Sequence, residues 1–174
     1  CLVGSEMCIR DRGNRGASPI SVPSWFLVLG LYALLISRFA NALGEALDMT
    51  GMVWVAGTMA SGWVPLALMF AVGYHVISHV TGQPIWSGSL TKASMLLLFF
   101  TVPPFFLAEA NHADDFWKSI GAILATVGLM PILAASTNMI ATIRKNASAV
   151  VESPGAVAAA GAAILLPIYA LLGY

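Results

Sequence analysis

The chain has 174 residues, 59% of them hydrophobic and 9% charged, with a mean hydropathy of +0.85 and no net charge. Soluble domains carry roughly 25% charged residues, so these few charges argue against a water-facing surface of this size. There is no basic field that would favour nucleic acid as a partner. The two cysteines, Cys1 and Cys8, lie within the first eight residues, so the body of the chain offers neither a disulfide framework nor a cysteine metal site.

The first twelve residues, CLVGSEMCIRDR, carry four charges and stand apart from the apolar pattern that follows. They resemble translated sequencing-adapter read-through, and no apolar stretch of a signal peptide adjoins them. Residues 1–12 are therefore set aside, 13–21 form a linker, and 22–174 form the body. The body is expected to be a piece of a larger bundle.

Five apolar spans follow, giving an all-α, polytopic transmembrane helix bundle. A membrane-crossing helix needs about 20 apolar residues. The first span is 22–43, where Pro23 suits a first helical turn and Arg38 reaches toward an interface. The connection GEALDMTG carries Glu45 and Asp48. The second span, 52–80, is almost free of charge and ends in His75 and His79. Gly82, Pro84 and Gly88 break the chain after it. The third span is 90–108, where Pro103 and Pro104 must kink or end the helix. The loop EANHADD, residues 109–115, is the most polar stretch, and Asp114 or Asp115 is placed to cap the next helix. The fourth span, 116–143, is interrupted by Pro131. The fifth, 156–174, is rich in alanine, and Ala158, Gly161 and Ala162 permit close helix approach.

Loop charge orients the bundle. Lys92, Arg144 and Lys145 fall on one side, joined by Arg15; Arg38 and Lys118 fall on the other. The positive-inside rule then places the loops after the second and fourth spans in the cytoplasm and EANHADD outside. Trp25, Trp54, Trp86 and Trp117 lie near span ends, where an interfacial aromatic belt would sit.

The polar candidates are few. His75 and His79 stand at i and i+4, on one helix face, and that spacing can share a metal; no third ligand is evident nearby, and an interfacial pair facing headgroups or a proton-handling pair are the rival readings. Glu109, Asn111, His112, Asp114 and Asp115 are the densest polar cluster. They read as a solvated loop and cap, or as groups that bind a cation or pass protons. Glu109 directly follows an apolar run, which would place it inside the bundle. Thr58, Ser61, Ser136, Thr137 and Asn138 lie within spans and would bond neighbouring backbone or a facing helix. Asn138 is the one least easily satisfied within its own span. Asn146-Ala147-Ser148 is a glycosylation sequon on the cytoplasmic side, where it would go unused.

Several segments together resemble subunit I of the heme–copper oxidase superfamily, nearest its C-type (cbb-type) oxidases and nitric oxide reductases. VWVAG and the long span after it look like that family's sixth helix. TGQPIW looks like its six–seven loop, the span with Pro103-Pro104 like helix seven, and LMPILAASTNMIATI like helix eight. The resemblance covers about 120 residues and implies respiratory electron transfer, a prokaryotic inner membrane location and partner subunits of a respiratory complex. The family holds copper through one histidine early in helix six and a pair ending helix seven. Here those positions are Thr58 and the neighbourhood of Ala108 and Glu109, with His112 the one imidazole close by. Copper is thus not expected. The heme ligands of the family lie on helices outside this chain, so heme is implied by the resemblance alone. Two other classes remain: a proton- or solute-translocating transporter, with Glu109, His112 and Asn138 along its path between proline-broken spans, and a structural membrane subunit.

Overall fold

A computed structural model of the chain describes residues 21–110 and 113–172. Among the described residues there is no strand, and the architecture is an all-α bundle. Its helices are α1 (Val22–Ala46), α2 (Thr50–Thr81), α3 (Gly88–Phe105), α4 (Asp115–Ile143), α5 (Ala147–Val151) and α6 (Pro154–Leu172). Helices α1, α2, α4 and α6 are long and apolar enough to cross a membrane. Helix α3 has 18 residues, or about 27 Å at 1.5 Å per residue, close to the hydrocarbon thickness of about 30 Å. The five expected spans therefore correspond to these five helices, with ends moved by a few residues.

The ends follow local chemistry. Pro23 occupies the first turn of α1, where its missing N–H costs nothing. The α1–α2 connection is very tight: Asp48 adopts φ 53, a left-handed conformation that Asp tolerates better than most residues, and the Met49 N–H donates to the Gly44 carbonyl at 2.8 Å. Gly82 closes α2 at φ 62, the usual left-handed helix stop. Past Pro103 and Pro104, α3 ends at Phe105 and the chain tightens into a 3₁₀ turn, Phe106–Glu109. Asp114 takes the N-cap position of α4 and Asp115 its first turn, although the Asp114 side chain makes no capping hydrogen bond.

Two prolines act differently from each other. Pro131 does not interrupt α4, which runs unbroken through it; the expected internal break in the fourth span is absent, as neighbouring helices in a bundle accommodate the missing donor. Pro65 has a larger effect. It removes the N–H that would reach the Ser61 carbonyl, and its ring crowds that same carbonyl. The turn before it widens into a π-helical stretch, Met59–Trp63, in which the Val64 N–H donates to the Met59 carbonyl. Such one-turn bulges rotate the side chains that follow them.

Helix α2 is the centre of the bundle, touching α1, α4 and α6, while α3 pairs mainly with α4. Phe26 of α1 stacks on Tyr74 of α2 and meets Phe70 edge-on, both at 5.7 Å between ring centroids. Aromatic pairs of this kind contribute about 0.5–1.5 kcal/mol each. Between helices in lipid such packing matters more than burial, because the surroundings are as apolar as the core. Outward-facing positions are apolar too: Leu35, Phe100, Ile123 and Leu165 are all exposed, a surface suited to lipid contact. At Gly121 the backbone of Leu107 and Ala108 occupies the space a Cβ would need, so the 3₁₀ turn lies directly on α4.

Candidate functional site

The most organised polar site lies where α2, α3 and α4 meet at the end carrying the 82–87 loop. Asn138, on α4, is fully buried. Its Oδ1 accepts from the Ser87 N–H at 2.9 Å. Its Nδ2 donates to the Ser87 carbonyl at 2.8 Å and to Thr91 Oγ1 at 2.7 Å. One turn later, Thr142 Oγ1 accepts from the Trp86 N–H at 3.0 Å and donates to the Asn138 carbonyl at 2.8 Å. Ser87 in turn caps α3, its Oγ accepting from the Leu90 N–H at 3.2 Å.

The orphan N–H groups at a helix start need acceptors. Here side chains of α4 do so across the helix gap. The same end is fastened twice more: Asn146 Nδ2 donates to the Thr81 carbonyl and Lys145 Nζ to the Pro84 carbonyl, each at 3.2 Å. The whole 82–87 connection is thus held by residues at the end of α4 and just beyond it.

Asn138 does bond outside its own span, as its sequence position implies. Its partners Ser87, Thr91 and Thr142 are less conspicuous in the sequence. The signal for them is two polar pairs at i and i+4: Ser87/Thr91, bracketing the first turn of α3, and Asn138/Thr142, on one face of α4.

The other candidates are dispersed. Thr58 Oγ1 donates to the Val55 carbonyl within its own helix at 2.9 Å, and Ser61 Oγ bonds the Thr58 carbonyl at 3.3 Å. Thr137 is exposed. Ser136 is buried with its hydroxyl unpaired among the described residues, and so is the Trp63 Nε1 in the π turn. His75 and His79 are exposed on α2, their rings 5.9 Å apart and nearly parallel. Glu109 ends the 3₁₀ turn, and His112 lies outside the described residues. Thus the Asn138 tie and the histidine pair are separate features, and no group of three or more His, Cys, Asp or Glu converges on a metal position among the described residues.

An apolar groove of about 380 Å³ runs between α2 and α6, with Leu68, Val72, Gly73, Met139, Ala159 and Ala163 along it. Comparison with protein-family models, curated proteins and solved structures gave no match.

Proposed function

We propose that this chain is the membrane-embedded part of an electron-transfer subunit of the heme–copper oxidase subunit I kind, without the copper centre, working beside other respiratory subunits in a prokaryotic inner membrane. The observation that carries the reading is a contact between two distant stretches. The first turns of α2, ending at Thr58, lie against the 3₁₀ turn Phe106–Glu109. In the resemblance these are the two stretches that would converge on copper.

The residues there do not fit that metal. Thr58 spends its hydroxyl on the Val55 carbonyl, and a threonine and an alanine offer copper no imidazole. Heme would supply the redox chemistry, held by ligands outside this chain. The residues at hand would contribute an anhydrous apolar bundle of fixed geometry, in which a redox centre is shielded from water. The transporter reading is weaker, because the buried Asn138 amide is committed to Ser87 and Thr91, with both of its N–H donors in use.

The test is an optical and elemental analysis of the protein purified from its native membranes. A reduced-minus-oxidised heme spectrum without stoichiometric copper is the expected result. Absence of heme absorption overturns the proposal, and one copper per chain overturns its copper-free form.

A further inference from the structure

We infer that His75 and His79 form a two-imidazole binding site for a hydrated divalent transition-metal ion at the membrane surface, independent of any heme or copper chemistry in the bundle. Both rings sit on the outward face of α2, and the ties at this end run through Asn138, Thr142 and Asn146 instead. Among the described residues, packing and hydrogen bonding thus leave both imidazoles free for a ligand.

Depth favours access to water. Helix α2 has 32 residues, about 48 Å of helix against a hydrocarbon core of about 30 Å. Centred in a bilayer, it extends about 9 Å past the core at each end. His79 is two residues from the helix end at Thr81 and His75 six residues from it, about 3 and 9 Å along the axis. His79 therefore lies at headgroup level and His75 at the edge of the hydrocarbon core, within reach of a hydrated ion at the surface. The chain is helical without interruption from Val64 to Thr81, so the i, i+4 spacing is rigidly held.

The geometry suits one shared ion. With Zn–N bonds of about 2.0–2.1 Å, a metal sits about 3 Å from the centre of each ring, and tetrahedral ligation needs centroids about 5.2 Å apart. The rings stand at 5.9 Å and 8° from parallel. A shared ion therefore requires both rings to turn about χ2, a broad torsion for histidine, until a nitrogen of each converges on one point. Imidazole suits Zn²⁺, Ni²⁺ and Cu²⁺. With two protein ligands the remaining positions belong to water, so the site is open and exchangeable rather than structural.

The test uses the full chain in lipid nanodiscs, purified without a histidine tag and with Cys1→Ser and Cys8→Ser so that no thiol competes. Ni²⁺ alone is titrated by calorimetry, and Cu²⁺ alone is examined by electron paramagnetic resonance. One saturable ion per chain is expected, with two-nitrogen coupling for copper. His75→Ala and His79→Ala should each weaken binding about tenfold or more, while His112→Ala leaves it unchanged. Both imidazoles are exposed, so the metal-free melting temperature of each variant should equal that of the parent, which separates ligand loss from misfolding. Absence of saturable binding, or binding that survives the double variant His75→Ala/His79→Ala, overturns the site.

Discussion

Asn138 and Ser87 hold each other at both ends of one side-chain amide: the Ser87 N–H donates to Asn138 Oδ1 at 2.9 Å, and Asn138 Nδ2 donates to the Ser87 carbonyl at 2.8 Å. The two residues are 51 positions apart, Asn138 within α4 and Ser87 just before α3. This reciprocal clamp fixes the start of α3 against α4.

Removing the clamp leaves the Ser87 N–H without its acceptor and takes the amide donor from the Ser87 carbonyl and the Thr91 hydroxyl, which still bond each other at 2.9 Å. Asn138→Leu should therefore destabilise the bundle by about 1–3 kcal/mol. Chemical or thermal unfolding in detergent checks this. Thr142→Val should cost less, because Thr142 makes one tie across the gap, to the Trp86 N–H.

Gly121 tests the contact between α4 and the 3₁₀ turn. A Cβ there meets the backbone of Leu107 and Ala108, which cannot rotate away as a side chain would. Gly121→Ala should destabilise by about 1–3 kcal/mol, as overpacking does. Gly73→Ala presses on the flexible Met139 thioether instead and should cost less. Melting temperatures of the two variants, compared side by side, decide the order.

Trp63 is buried in the π turn, edge-on to Phe99 at 5.8 Å, with its indole N–H unpaired among the described residues. Trp63→Phe keeps an aromatic ring and removes the unpaired donor, so stability should hold or rise. Trp63→Ala leaves a void and should cost about 3–5 kcal/mol. A Trp63→Phe variant as unstable as Trp63→Ala would show that the indole N–H has a partner in the membrane.

Much of this bundle could be read from the chain because its punctuation is local. Pro23, Gly82 and the Asp114-Asp115 pair act on their own turns, and each marks a helix end in the structure. Pro131 and Pro65 show where local reading stops. Both are prolines in apolar runs, yet one leaves its helix continuous and the other widens a turn into π geometry. The difference lies in what packs around them. The candidate site divides the same way. Asn138 stood out as a polar residue in an apolar span, but its partners lie 47 to 51 residues away, and a single sequence carries no record of that pairing. Thr58, by contrast, bonds three residues back, within reach of a reading by local chemistry.

We propose that these helices cross a bilayer, with the 82–87 and 144–153 segments on the cytoplasmic side and the start of α4 outside. Cysteine accessibility in intact spheroplasts tests it most directly, using Lys118→Cys and Lys145→Cys in a background with Cys1→Ser and Cys8→Ser, and a membrane-impermeant maleimide. Position 118 should label in intact cells and position 145 only after the membrane is opened. Equal labelling of both positions in intact cells would contradict the membrane-spanning arrangement, and the reverse pattern would invert its orientation.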